Sequence, residues 1–224
     1  MEAIILAGGK AERLGDAARG LPKALVPIVG QPLVRRQVTW LAAAGVGRVI
    51  VSCRAGQEHL FEQELADVGP EVVAAGEPEP LGRGGGLRFA AARREETGPV
   101  YALNGDELFD LELAALLSRH LERAPAATIV VAPLVSALGV VDLEDDDAVV
   151  GFREGPRLPY WVNAGCYVLD EEVLARLPER GDHETSTFPE LAAERRLLAF
   201  RHEGLWLTVN TPKDLRRAEE WFGQ

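Results

Sequence analysis

The chain has 224 residues, of which 47% are hydrophobic, and it carries a formal charge of −11 at pH 7. This length and hydrophobic content suffice for one large buried core, so we predict a single domain over residues 1–224. The acidic charge argues against nucleic-acid binding, which requires an extended basic surface. Because no apolar run approaches about eighteen residues and no signal-like segment opens the chain, we predict a cytoplasmic protein without a membrane segment.

Strand and helix patterns alternate along the first half of the chain, which predicts a layered α/β sheet with right-handed parallel crossovers. In chain order we predict a strand at 3–7, a helix at 32–44, a strand at 48–53, a helix at 57–66, a strand at 71–75, a helix at 87–95, a strand at 100–103, a helix at 111–123 and a strand at 127–132.

The second half has a different pattern. Extended runs at 139–143 and 148–152 flank an acidic stretch at 144–147, which predicts a hairpin with a solvated tip. A strand at 162–169 and helices at 171–177, 188–195 and 212–221 follow. Together these elements predict a mixed, mainly parallel, doubly wound sheet in a three-layer α/β/α arrangement.

The two cysteines and the histidines carry little functional signal. Cys53 and Cys166 lie in apolar strand-like runs without metal-ligand spacing, so we predict buried thiols rather than a disulfide or a metal site. His59 and His120 are expected on exposed helix faces, and His183 in a surface loop.

The first strand runs directly into a loop that has the composition of a phosphate-binding site. Gly8 and Gly9 follow the strand at once, and without a Cβ their backbone N–H groups can face an anion. The loop lacks the Gly-Lys-Ser/Thr ending of a P-loop and the third glycine of a dinucleotide-binding loop. The nucleotide-binding residues predicted in this part of the chain are Leu6, Ala7, Gly8, Gly9, Lys10, Arg13 and Lys23.

Two further segments stand where ligands bind in open α/β sheets. Asn104, Gly105 and Asp106 follow a predicted strand, at the edge where such sheets place their ligands. Asp106 is the candidate ligand for Mg²⁺, which prefers carboxylate and phosphate oxygens, whereas Asp110 better suits a helix N-cap. A glycine-rich segment ahead of the helix at 87–95 lets the backbone approach a base or ribose, and its candidate residues are Gly82, Gly84 and Gly85.

Residues 6–14 and the pair Pro22-Lys23 resemble the signature of the sugar-1-phosphate nucleotidyltransferases, which reads Leu-Ala-Gly-Gly-x-Gly-x-Arg-Leu followed by Pro-Lys. Ala11 replaces the third glycine. The resemblance covers nearly the whole chain and implies a Rossmann-like fold in which residues 1–110 bind the nucleotide and residues 111–224 bind the sugar phosphate. It also implies catalytic roles for Arg13, Lys23 and Asp106, with Asp106 holding Mg²⁺.

The sugar-binding half resembles the same family less closely. Asn163 and Gly165 match an Asn-Ala-Gly-x-Tyr strand that contacts the sugar in these enzymes. Residues 152–156 occupy the position of the family's Glu-Lys-Pro segment, whose lysine binds the sugar phosphate. In this chain Gly155 replaces that lysine. The residues that this resemblance assigns to the sugar phosphate are Arg153, Glu154, Arg157, Asn163 and Gly165, with an arginine supplying the missing charge.

A last segment departs from the family's Trp-x-Asp-x-Gly-Thr-Pro pattern. Thr208 replaces the aspartate that serves there as a second metal ligand, so Asp106 is expected to act nearly alone with substrate oxygens and waters. Asn210, Thr211 and Pro212 also resemble the closing segment of the molybdenum-cofactor nucleotidyltransferases.

The family resemblance implies transfer of a nucleoside monophosphate to a sugar 1-phosphate, with mannose- or heptose-1-phosphate guanylyltransferases as the favoured subgroup. GTP is the favoured nucleotide, and UTP and dTTP are the alternatives. Two other functions stay open: molybdenum-cofactor guanylyl transfer, and a non-enzymatic sensor motivated by Ala11, Gly155 and Thr208. A monomer and a homodimer are equally compatible with the sequence.

Overall fold

The first strand, β1 (Glu2–Leu6), is buried on both of its faces. In the computed structural model, which describes residues 1–18 and 20–223, Ala3 and Ile5 pack into one hydrophobic cluster and Ile4 packs into another. Successive side chains of a strand point to opposite faces, so this strand lies inside a sheet that is covered on both sides.

The other elements of the described residues follow in chain order. The strands are β2 (Pro27–Ile28), β3 (Gln31–Pro32), β4 (Arg48–Arg54), β5 (Glu71–Glu77), β6 (Val100–Asn104), β7 (Glu107–Phe109), β8 (Ala127–Val135), β9 (Val140–Leu143), β10 (Val149–Arg153), β11 (Arg157–Leu169), β12 (Leu197–Arg201) and β13 (Trp206–Thr208). The helices are α1 (Leu33–Ala43), α2 (Glu58–Leu65), α3 (Gly82–Ala91), α4 (Leu113–Arg123), α5 (Glu171–Arg176), α6 (Thr187–Ala193) and α7 (Pro212–Phe222), and 3₁₀ segments lie at Glu12–Ala18 and Lys23–Leu25.

Seven strands form the main sheet in the order β12, β8, β11, β6, β1, β4, β5. The pairs β6–β1, β1–β4, β4–β5 and β12–β8 are parallel, whereas β11 runs antiparallel to both β6 and β8. Helices α1, α2 and α4 contribute to the core on one face, and α3, α5 and α6 to the core on the other. The predicted mixed, mainly parallel α/β/α architecture is therefore confirmed.

A third, smaller core lies beside the main sheet. It joins the segment Glu12–Ala18, the β2–β3 region, β13 and α7 through side chains such as Leu14, Ile28 and Leu207. The two-stranded pair β7–β13 belongs to this region, since Leu207 pairs with Leu108. This core therefore places the last part of the chain against the loop that follows β1.

Helix α3 begins at Gly82, before the start at residue 87 that the sequence predicts. Glycine disfavours a helix interior, so the sequence pattern does not extend the helix through Gly84 and Gly85. In the structure these positions lie against the loop at 178–183, where a Cβ on Gly84 would come within 2.8 Å of the His183 backbone nitrogen and one on Gly85 within 2.6 Å of the Glu179 carbonyl oxygen. The close packing of helix and loop therefore requires the glycines.

Other local predictions are partly confirmed. The hairpin β9–β10 and its exposed acidic tip are as expected, and both cysteines are fully buried. Asp110 is not an N-cap, because α4 begins at Leu113 with Glu112 in the cap position. The sequence pattern does not predict β2, β3, β7, β12 or β13. In the described residues no helix has the length and apolarity needed to cross a bilayer.

The expected exposure of two histidines is wrong. His120 is 1% exposed and its ring nitrogens lie 2.9 Å from the Thr128 hydroxyl and 3.1 Å from Asp170 Oδ1. His183 is fully buried, and its ring makes edge contacts with the rings of Tyr167 and Phe188. In the described part of the chain neither of its ring nitrogens has a hydrogen-bond partner. Burial, and secondarily the charge of Arg83, lowers the pKa of His183 to about 4.

We predict that His183 makes the protein acid-sensitive. Its pKa is about 4 in the folded chain and about 6.5 when unfolded, so the unfolded state binds the extra proton between these values. Stability present above pH 6.5 should fall by about 3 kcal/mol as pH drops to 4. Urea unfolding measures the free energy of unfolding across this pH range. This free energy should depend less on pH in His183→Phe than in the wild type, whereas the exposed-site control His59→Gln should match the wild type. An unchanged slope in His183→Phe would contradict this assignment.

Candidate active site

A cleft of about 840 Å³ opens at the carboxyl edge of the parallel part of the sheet. Leu6, Arg54, Glu77 and Asn104 are the last residues of β1, β4, β5 and β6, and all four line it. Ligands of open α/β sheets bind at this edge, because the loops that leave the strands converge there. The cleft is therefore the candidate active site.

Most of the predicted nucleotide-binding residues meet in this cleft. Gly84 and Gly85 do not line it, because they pack against the loop at 178–183. Gly82, at the start of α3, has a φ of +78° that favours glycine, and its neighbour Arg83 lines the cleft. The predicted residues found in the lining are Leu6, Ala7, Gly8, Gly9, Lys10, Arg13, Lys23, Gly82, Asn104, Gly105 and Asp106.

The three predicted catalytic side chains converge through a fourth residue. Lys23 is only 8% exposed and forms an ion pair with Asp106. Its Nζ also donates to Asn210 Oδ1 at 2.6 Å, and the same oxygen accepts a hydrogen bond from Arg13 Nη2 at 2.6 Å. Sequence reasoning did not include Asn210 among the site residues. The β7–β13 pairing places it beside Asp106, and no local sequence signal indicates that pairing.

Glu107 is a second residue that the sequence did not identify. Its buried carboxyl group accepts hydrogen bonds from Trp206 Nε1 and Thr208 Oγ1, both at 2.7 Å. Burial, with the adjacent charge of Asp106, raises the pKa of Glu107 to about 8. Thr208, which replaces the family's second aspartate, therefore lies against a carboxyl group supplied by the neighbouring strand.

We predict that burial of Glu107 lowers the stability of the fold at pH 7. The pKa of Glu107 is about 8 in the folded chain and about 4.5 when unfolded, so the wild type must take up a proton to fold at pH 7. Glu107→Gln keeps the shape and charge of the protonated group without this cost and should raise the free energy of unfolding by about 3 kcal/mol. Glu107→Ala should be about 2 kcal/mol less stable than Glu107→Gln, since it leaves the half-buried Trp206 and Thr208 donors without an acceptor. Denaturant unfolding at pH 7 measures both variants. A Gln variant no more stable than the wild type would contradict a neutral carboxyl group.

The sugar-strand residue Asn163 connects to the cleft through side chains. Its Nδ2 donates to Glu184 Oε1 at 2.8 Å, and Glu184 Oε2 pairs with Arg83 Nη2 at 2.7 Å. Gly165 has a φ of +74°, and a Cβ there would lie 2.4 Å from Asn104 Nδ2. Glycine at this position therefore lets β11 approach the end of β6. Glu184 is a further contact that the sequence analysis missed.

The strands β9 and β10, with the turn that leads into the start of β11, form a hairpin arm. The remaining predicted sugar-phosphate residues lie on this arm, outside the cleft lining. Arg153 pairs with Asp142 at 2.9 Å, and Arg157 pairs with Glu203 at 2.9 Å. Glu154 belongs to the same arm, in the turn before β11. Gly155 occupies this turn with a φ of +58°, which disfavours a side chain such as the family's lysine. The structure does not bring these arginines to the nucleotide loop.

The oxygen donors around Asp106 suit a magnesium ion that takes most of its ligands from substrate and water. Asp106 offers a partly exposed carboxylate in the cleft, and the amide oxygen of Asn210 lies close by, because both contact Lys23 Nζ. Among residues 1–18 and 20–223, no group of three or more His, Cys, Asp or Glu side chains has metal-binding geometry. Hard oxygen donors in small number suit Mg²⁺.

Comparisons with known proteins agree with this geometry. Residues 2–222 match the sequence profile of the family described as nucleotidyl transferase. Mannose-1-phosphate guanylyltransferase of Mycobacterium tuberculosis is 31% identical, over 97% of this chain and 63% of its own. The mannose-1-phosphate guanylyltransferase catalytic subunit beta of Drosophila melanogaster is 33% identical, over 95% of this chain and 60% of its own. The chain thus spans somewhat over half the length of these relatives.

A solved structure matches the fold over its full length. HddC from Yersinia pseudotuberculosis, crystallised in complex with GMP-PN, superposes with a TM-score of 0.76. It is 25% identical in sequence, and the match covers 99% of both chains. The similarity therefore extends over the nucleotide loop and the hairpin arm alike.

Proposed function

The chain belongs to the nucleotidyl transferase family, and we propose from this that it transfers a nucleoside monophosphate from a nucleoside triphosphate to a sugar 1-phosphate, releasing pyrophosphate. The observation that carries the proposal is the convergence of Arg13, Lys23 and Asp106 beside the glycine loop after β1. Cations and backbone donors meet there in a cleft of a size suited to a nucleotide.

In this mechanism the enzyme positions its substrates and neutralises charge, and it forms no covalent intermediate. An oxygen of the sugar phosphate attacks the α-phosphorus, and pyrophosphate leaves. Backbone N–H groups of Gly8 and Gly9, together with Arg13 and Lys23, stabilise the negative charge of the triphosphate. Asp106 would hold Mg²⁺, which when bound supplies further charge neutralisation at the phosphates. The Lys23 ammonium is already held in the cleft by its contacts with Asp106 and Asn210.

Glu77 favours a guanine base. It ends β5 in the cleft, where its carboxylate accepts from Ser52 Oγ at 2.7 Å and from the Leu81 backbone at 3.3 Å. A Cβ on Gly86 would lie 2.8 Å from Glu77 Oε1, so glycine leaves room beside this oxygen. Guanine presents N1–H and N2–H donors side by side, which suit a carboxylate, whereas uracil and thymine flank their single N–H with carbonyl oxygens that a carboxylate repels. The guanylyltransferase relatives support the same choice.

We predict that Glu77 sets the nucleotide preference. Glu77→Gln should lower kcat/KM for GTP by about tenfold or more, since one charged acceptor is lost, and should raise the ratio of UTP to GTP use. Steady-state kinetics with each nucleotide measure the change. The matched control is Glu79→Gln, which alters a more exposed carboxylate on the same side of the cleft. A GTP to UTP ratio unchanged in Glu77→Gln would remove Glu77 from base recognition.

The experiment that tests the function is pyrophosphate release with Mg²⁺, across GTP, UTP, dTTP, ATP and CTP against mannose, heptose, glucose, galactose and N-acetylglucosamine 1-phosphates. We expect release with GTP and with mannose or heptose 1-phosphate. Lys23→Ala should reduce turnover by about two orders of magnitude or more, because it removes a preorganised cation from the cleft. Nucleotide binding without release for any sugar phosphate would instead favour the sensor. Wild-type turnover in Lys23→Ala would exclude this lysine from the mechanism.

A further inference from the structure

The amide oxygen of Asn210 is shared by two cations of the cleft, Arg13 and Lys23. Arg13 Nη2 and Lys23 Nζ each lie 2.6 Å from this one atom, so the two charged groups are separated by no more than twice that distance. Two cations this close repel each other, and an acceptor between them offsets the repulsion. We propose that Asn210 is a positioning residue that holds Arg13 and Lys23 together for the triphosphate.

The backbone of Asn210 is anchored on both sides. The Val209 backbone N–H donates to the Asp106 carbonyl oxygen at 2.8 Å, which ties this segment to the metal-candidate loop. The Asn210 N–H donates to Asp214 Oδ2 at 3.1 Å, within the first turn of α7. Thr211 and Asp214 form a capping box that fixes the start of this helix. The amide oxygen is therefore delivered from a rigid segment.

Arg13 depends on this contact more than Lys23 does. Lys23 is buried and has Asp106 as a second partner, whereas Arg13 is exposed and makes no ion pair among the described residues. A free arginine side chain samples many rotamers, and it loses this conformational entropy when a ligand orders it. Holding it before the ligand arrives reduces the ordering cost of binding. We therefore expect Asn210 to strengthen triphosphate binding mainly by orienting Arg13.

The proposed role of Asn210 depends on its amide group being uncharged. A carboxylate at this position would accept the same two hydrogen bonds but would cancel one positive charge in the cleft. Asp106 already opposes Lys23, so a second carboxylate would leave no net positive charge among these four side chains. An amide orients the cations and leaves their attraction for phosphate intact.

The test uses inorganic tripolyphosphate as the probe, because it occupies the phosphate site without base, sugar or metal. Isothermal titration calorimetry with the whole chain should give a Kd about tenfold weaker for Asn210→Ala than for the wild type. Asn210→Asp should bind more weakly still. Because a carboxylate at this position repels phosphate whatever the role of the side chain, the Ala variant carries the test: a Kd for Asn210→Ala equal to that of the wild type would overturn the inference.

Two further measurements separate positioning from structural damage. Leu116→Ala removes core contacts of α4 outside the cleft lining, so it should lower the melting temperature and leave the tripolyphosphate Kd unchanged. In an Arg13→Ala background, Asn210→Ala should cost less affinity than it does alone. Weakening by Leu116→Ala equal to that by Asn210→Ala, or additive losses with Arg13→Ala, would overturn the inference.

The inference rests on the proposed function, and the two fail in different ways. A wild-type chain that does not bind tripolyphosphate would overturn the role of Asn210, whereas the proposed function fails only if no nucleotide and sugar phosphate give pyrophosphate release. A wild-type chain that binds it and releases pyrophosphate, with a folded Asn210→Ala variant of equal affinity, would overturn the role of Asn210 alone.

Discussion

The short antiparallel pairing of β7 with β13 holds the candidate active site together. Thr208 pairs with Glu107, and the backbone of Val209 continues the contact to Asp106, although these segments are about a hundred residues apart in sequence. Through this pairing the end of the chain supplies Asn210 to a loop formed at its beginning. The third hydrophobic core lies behind it, so the apolar contacts of α7 and β13 stabilise the position of polar side chains in the cleft.

The charges in the cleft are arranged to leave a local excess of positive charge in an acidic protein. Lys23 is buried, and a buried ammonium group requires partners. One partner is the carboxylate of Asp106 and the other is the neutral amide of Asn210. The neighbouring carboxyl group of Glu107 is held neutral at pH 7 by its burial. Among the described residues, Asp106 is therefore the only carboxylate that forms an ion pair with Arg13 or Lys23, and small anions can bind beside them despite the net charge of −11.

The glycines of α3 show how packing overrides local preference. Helix propensity predicts that a run of glycines stays outside a helix. Gly84 and Gly85 instead lie in its first turns, because the loop at 178–183 packs too closely for any Cβ. The glycine composition, interpreted from the sequence as a base-binding loop, thus also serves contact between two parts of the protein. Gly82 and Arg83 remain at the cleft.

The sequence alone was sufficient for the features that depend on short stretches of chain. The strand leading into Gly8 and Gly9, the alternation of strands and helices, and Asp106 after β6 were predictable, because hydrophobic periodicity and loop composition are local properties. The roles of Glu107, Asn210 and Glu184, and the burial of His183, depend on which distant segments pack against them. Only the tertiary structure decides such contacts, since a polar side chain acquires its partners and its pKa from groups that the local sequence does not contain.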